Sequence, residues 1–341
     1  MENRPSRRSP GRIISALRLE RPAAPPIEGL LAAIPLLPEP LLAEQTEAVA
    51  QILDAVRVCT DAGAGVVGLG AVAAVVGGQG KAVAEAAGCG ITSGNALTAW
   101  AAVETWRRFT ELGDTADHPV GLYGLPGAVA GGILRLLVHA GATVEAVAPR
   151  AALPLVRTVE RLNNLGPGRV RLVEDWRPVV EAGRVLMAAS STGGRIPLSA
   201  LPHGAVVIDV AAPVDVLFDI PSREDVLLLD GEMVKLPGRL YGTEPWHRLY
   251  GLVTGQGDRI FACFAEPMLL AATCRPDLAG TGRELPLERL LAVSELAALN
   301  GFRVDALCAR GRPVRGALLA AFTARDRRGA SSGARRPPPL P

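Results

Sequence analysis

Apolar residues recur at near-helical spacing between residues 38 and 62, at Leu41, Leu42, Val49, Ile52, Leu53 and Val56, which predicts an amphipathic helix. The uncharged stretch from Ala62 to Gly80 follows. Its glycine content disfavours helix, so residues 65–76 read as a buried strand leading into a glycine-rich loop, not as a membrane span. Residues 81–87 read as a short helix and residues 92–109 as a longer one, with Thr92 and Ser93 as caps. At Pro119 the pattern becomes strand, glycine turn, helix, strand over residues 120–123, 124–127, 128–140 and 143–148. That is a βαβ unit opening a parallel sheet. Apolar runs at 185–189, 205–210 and 226–229 have the length of further parallel strands. Residues 284–300 read as a final helix closed by Asn300-Gly301.

Composition narrows the class. Of 341 residues 49% are hydrophobic but only 4% aromatic, so small and aliphatic side chains fill the interior, as in closely packed α/β layers. A net charge of +2 does not indicate nucleic-acid binding. The five cysteines (Cys59, Cys89, Cys263, Cys274 and Cys308) form no CxxC and no Cys/His cluster, so neither a disulfide framework nor a metal site is expected. A reduced, cytoplasmic setting follows. The basic N-terminus lacks the apolar core of a signal peptide. Residues 1–26, rich in Arg and Pro, read as a disordered arm, and residues 325–341 as a disordered Arg/Pro tail.

Gly124-Leu125-Pro126-Gly127 lies between a strand and a helix, the context in which glycines shape a phosphate site. Gly124 permits the tight turn, Gly127 lets backbone approach a pyrophosphate, and Ala130 or Gly131 fills the third small position. Pro126 stiffens the turn and removes one N–H. Arg150, where an NAD enzyme carries an acid, offers a guanidinium to a 2′-phosphate, so NADPH is the expected cofactor. Ser190 and Ser191 follow the strand at 185–189 and should border the nicotinamide. The fold expected is α/β: a doubly wound Rossmann-type NADPH domain at residues 117–250, packed against a second α/β domain. That second domain joins an N-terminal substrate region, 27–116, to a C-terminal helical segment, 251–324.

Cys263 lies between Phe261 and Phe264 near the start of an expected helix, 264–270, whose N-terminus favours thiolate. Glu266 is a candidate proton donor or holds a partner. Asn95 could present its amide to a carbonyl or cofactor. None of His118, His139, His203 and His247 has a Ser or Asp at hydrolase spacing, and only His247 is near enough in sequence to test as a base. A thiol plus a nucleotide-binding turn suits reduction of a thioester to an aldehyde: the thiol takes the acyl group and hydride is then delivered to the carbonyl.

The chain resembles the NADPH-dependent long-chain acyl-[acyl-carrier-protein] reductases of cyanobacterial type. The resemblance runs from about Leu36 to Leu307. It rests on Leu37-Pro38-Glu39, Gly94-Asn95 with Thr98-Ala99, the turn after Val120, the segment 185–190, Val207-Ile208-Asp209, and above all Phe261-Ala262-Cys263-Phe264-Ala265-Glu266 followed by Met268-Leu269-Leu270. It implies that Cys263 accepts the acyl group and that Gly124, Gly127 and Arg150 hold NADPH. It further implies acyl-carrier protein or acyl-CoA as donor, with an aldehyde-consuming enzyme as a further partner. Two other readings stay open. One is a shikimate- or amino-acid-type dehydrogenase, although Asn95-Ala96-Leu97-Thr98 lacks the acid of that family's Lys–Asp pair. The other is a non-catalytic nucleotide-binding or carrier-docking protein.

Overall fold

The structure, a computed structural model, describes residues 11–22, 24–34, 42–113, 119–148, 163, 166–182, 185–243 and 258–323. It divides into two units. The first comprises Met1–Gly94, Leu236–Asp258 and Cys263–Gly282; the second comprises Asn95–Lys235, Arg259–Ala262 and Arg283–Pro341.

The chain enters on a long antiparallel pair, β1 (Arg12–Arg21) and β2 (Ala24–Ala33), where sequence composition suggests an unstructured arm up to residue 26. Ser15, Leu17 and Leu19 face inward and alternate with exposed Ala16, Arg18 and Glu20, the period of a strand with one buried face. Helix α1 (Gln45–Asp61) buries Ala48, Ile52, Ala55, Val56 and Cys59. The glycine-rich stretch that follows yields only a three-residue strand, β3 (Val66–Gly68), paired in parallel with β4 (Gly90–Thr92). A 3-10 turn over Ala71–Ala74, entered with Ala71 at positive φ, replaces the rest of the strand expected over residues 65–76, and Gly77, Gly78 and Gly80 follow it at positive φ.

The second unit opens with α2 (Asn95–Gly113), a helix buried over most of its length, with Thr98, Glu104, Thr105 and Thr110 among its buried residues. It continues into β5 (Val120–Tyr123), α3 (Ala128–His139), β6 (Thr143–Val147), β7 (Arg169–Val173), β8 (Val185–Ala188), β9 (Val206–Asp209) and β10 (Leu227–Asp230). These six strands are parallel to one another, and β10 also borders an antiparallel strand at its outer side. Each is short and apolar, as strands covered on both faces must be. β7 is the exception: Arg169 and Arg171 are exposed in alternation with Val170, and Arg171 pairs with Glu145 of β6 at 2.8 Å.

Beyond them lie β11 (Met233–Lys235), β12 (Arg239–Gly242), β13 (Arg259–Phe261), α4 (Ala262–Ala272), α5 (Leu287–Leu299), β14 (Cys308–Ala309) and β15 (Arg312–Pro313). β12 pairs with β1 in the first unit, and β11 with β13 in the second. The large sheet runs β15-β14-β10-β9-β8-β5-β6-β7. The chain thus builds outward from β5 through β6 to β7, crosses back beside β5, and builds outward again. α5 groups with the sheet unit, whereas residues 263–282 group with the N-terminal elements, so the C-terminal segment is shared where sequence analysis gives it whole to one domain. Among the described residues no helix is long and apolar enough to cross a membrane.

Gly132 of α3 lets that helix press on its neighbours: an added Cβ would lie 3.0 Å from Ala99 of α2 and 3.0 Å from Leu285. Gly132→Val should destabilise the fold by about 1–3 kcal/mol, the usual effect of overfilling a close-packed core. Urea unfolding followed by circular dichroism checks this; an unchanged midpoint would show that the contact is slack.

Candidate functional site

The described residues hold two candidate sites, one in each unit. In the first unit, Cys263 is exposed at the second position of α4, at the positive end of the helix dipole where negative charge on sulfur is favoured. The helix begins two residues earlier than its apolar run suggests. Three points hold it across the ends of the parallel pair β3 and β4. Gly68, closing β3, lies against Pro267, whose Cγ would be 2.8 Å from an added Cβ. Thr92, closing β4, donates its hydroxyl to Glu266 Oε1. Gly94, at φ 75°, lies against the main chain of Cys263: an added Cβ would be 2.3 Å from Cys263 Cα.

These contacts fall at 263, 266 and 267, one face of the first turns of a helix. Pro267 also lacks the N–H that a regular helix would offer to the Cys263 carbonyl. Glu266 is fully buried. Its carboxylate faces Thr92, whose Oγ1 in turn accepts the Gly94 N–H at 3.0 Å. Thr92 therefore ends a strand and ties a turn, where its sequence suggests a helix cap. Ser93 N–H donates to the Gly280 carbonyl at 3.1 Å and completes the loop.

Phe264 is half-buried in this unit, while Phe261 and Asn95, also half-buried, belong to the second. The other thiols differ. Burial pushes Cys308 up to about 11, and burial also raises Cys59, with a smaller contribution from Cys89. Both are packing residues. Cys274 is exposed beyond the end of α4.

In the second unit the glycine turn meets the loop after β8. Gly124 has φ 119°, and an added Cβ would lie 2.5 Å from the carbonyl of Ala189. Gly127 N–H donates to Gly124 O at 2.8 Å and α3 starts at the next residue, so Gly124, Leu125, Pro126 and Gly127 form the tight turn expected from their spacing. Ser190 turns inward. Its N–H donates to Asp215 Oδ2 at 2.8 Å and its hydroxyl donates to Asp215 Oδ1, whereas Ser191 is exposed. Fully buried Asp215 is the residue that sequence reasoning misses; its only signal is an acid set between Val214 and Val216. Burial and Asp215 together raise the Tyr123 phenol, which closes β5. Arg150 and His247 lie outside the described residues.

Glu232, between β10 and β11, carries a buried Oε2 with no hydrogen-bond partner among the described residues. Burial, reinforced by Asp230, pushes its carboxyl up to about 8.

No protein-family model matches the chain. It is 29% identical over 296 residues to a protein from a Serratia species named aminotransferase PigE. The match covers 84% of this chain and 33% of that protein, so the chain spans about a third of its relative's length. That name corrects the reductase reading. An aminotransferase moves an amino group onto a carbonyl carbon with pyridoxal phosphate as electron sink; it does not deliver hydride from NADPH to an acyl thioester. The NADPH assignment of the turn and Arg150, the acyl-carrier protein and acyl-CoA donors, and the dehydrogenase alternative fall with it.

The residues present do not fit pyridoxal phosphate either. That cofactor needs a lysine amine free to form a Schiff base. The chain has two lysines. Lys81 is exposed beside Glu85 at 3.8 Å, and Lys235 is bound to Asp305 at 3.3 Å.

One pH dependence follows from Glu232. The folded state holds its proton more tightly than the unfolded chain, so stability falls as pH rises from 4.5 to about 8. Glu232→Gln should remove that slope, its advantage over the parent growing by at most ~1.4 kcal/mol per pH unit across this window. Denaturant unfolding at a series of pH values reads the difference; a pH-independent difference would show that Glu232 ionises freely.

Proposed function

We propose that this chain serves amino-group transfer by holding a carbonyl compound at Cys263, and does not itself carry the pyridoxal phosphate step. The carrying observation is Cys263: exposed, at the start of a helix, its main chain fixed against Gly94. The relative's name supplies the compound class, because the acceptors of amino groups are carbonyl compounds. The step balances without a redox partner. The Cys263 thiolate adds to an aldehyde carbon, a C–S bond forms, and the π pair of the C=O moves to oxygen, which takes a proton from solvent. Reversal releases the aldehyde unchanged.

The second unit supports this reading as a ligand-binding scaffold. Numbered from β5, its parallel strands run 3-2-1-4-5-6, the order of the doubly wound Rossmann arrangement. Ligands of that arrangement lie outside the carboxyl ends of the strands, where the order reverses. β5 and β8 flank that point, with Gly124, Leu125, Pro126 and Gly127 on one and Ser190 and Ser191 on the other. The turn opening α3 suits an anionic, phosphorylated ligand; Ser190 would shape the loop through Asp215 and leave Ser191 to face it.

Aliphatic aldehydes should slow iodoacetamide alkylation of Cys263, read by peptide mass spectrometry, while the corresponding alcohols should not. Alkylation of Cys274 should be unaffected. Equal protection of both cysteines, or of neither, would sink the proposal.

A further inference from the structure

We infer that Glu266 is a positioning residue, which sets the Cys263 thiol through Thr92 and Gly94. This rests on the reading of Cys263 as the carbonyl-binding group. The buried carboxylate accepts the Thr92 hydroxyl, and that leaves the Thr92 oxygen lone pairs directed to the Gly94 N–H. A hydroxyl bonded this way has one proton to give and gives it to Glu266. The Ser93-Gly94 segment is thereby held by the Thr92 hydroxyl and the Gly280 carbonyl, and Gly94 in its positive-φ conformation meets the Cys263 peptide. Glu266 and Cys263 occupy the same helix three positions apart, so the carboxylate grips the loop that bounds its own helix start. Glu266 is closed off from solvent, and its Oε1 accepts the Thr92 hydroxyl.

Positioning and proton transfer separate in a variant series. Glu266→Gln keeps an acceptor oxygen for Thr92 but cannot exchange a proton at neutral pH; Glu266→Ala and Thr92→Val break the relay, and Thr92→Ser preserves it. The reading is the rate of iodoacetamide alkylation of Cys263 against pH, with Cys274 in the same molecule as reference. Glu266→Ala and Thr92→Val should slow Cys263 about tenfold or more relative to Cys274, as misplacement of a reacting group does. Glu266→Gln and Thr92→Ser should keep the parent rate and the parent pH profile. A Gln variant as slow as the Ala variant, or with a displaced pH profile, would make Glu266 a proton-transfer group and overturn the inference. So would an unchanged Cys263 rate in Thr92→Val, which keeps the size of the side chain and so guards against misfolding in the Ala variant. Iodoacetamide needs no carbonyl site, so a parent protein that ignores aldehydes would defeat the proposed function and leave this result standing.

Discussion

The approach of Gly94 to the main chain of Cys263 is the constraint on which the thiol site depends. No side chain fits there, and the positive φ of Gly94 would strain any replacement. That one contact requires a short strand ending at Thr92, a turn tied by the Thr92 hydroxyl, and a helix that starts at Ala262 rather than after the thiol. Pro267 then becomes intelligible. It costs the helix a hydrogen bond, but its ring fills the space beside Gly68.

The second unit solves a similar problem with different residues. Gly124 brings the turn after β5 against the peptide after β8, where parallel strands build outward in opposite directions. Loops at the ends of these strands leave polar backbone groups with no strand partner. Asp215 satisfies Ser190, and Asp209 takes the N–H groups of Ala211 and Val216 at 3.0 and 2.9 Å. Burial raises the Asp209 carboxyl, so these loops are ordered at an electrostatic cost. Glu232 bears a larger cost of the same kind.

Much of the parallel sheet was legible because its strands are continuous apolar runs between glycine turns. The expected strand at 120–123 is the observed one, and the runs at 185, 205 and 226 fall within a residue or two of the structure. β7 escaped because its apolar residues alternate with arginines, as an edge position allows. β1 and β2 escaped because the Arg and Pro content around them resembles that of an unstructured arm, although Leu17 and Leu19 carry the period of a strand. The helix that carries Cys263 was legible from its apolar run; the tie between Thr92 and Glu266 was not, since 174 positions separate them. The reaction was misread for a related reason. A glycine turn and a reactive thiol are parts shared by many chemistries, and local spacing does not say which one uses them.

The central claim, that Cys263 is a covalent anchor for a carbonyl compound, is met most directly by nuclear magnetic resonance with an aldehyde labelled with ¹³C at its carbonyl carbon. The parent protein should convert part of that carbonyl signal into the resonance of a carbon bonded to sulfur and oxygen, and Cys274→Ser should do the same. Cys263→Ser should leave only free and hydrated aldehyde. A resonance of that kind persisting in Cys263→Ser, or absent from the parent, would contradict the account.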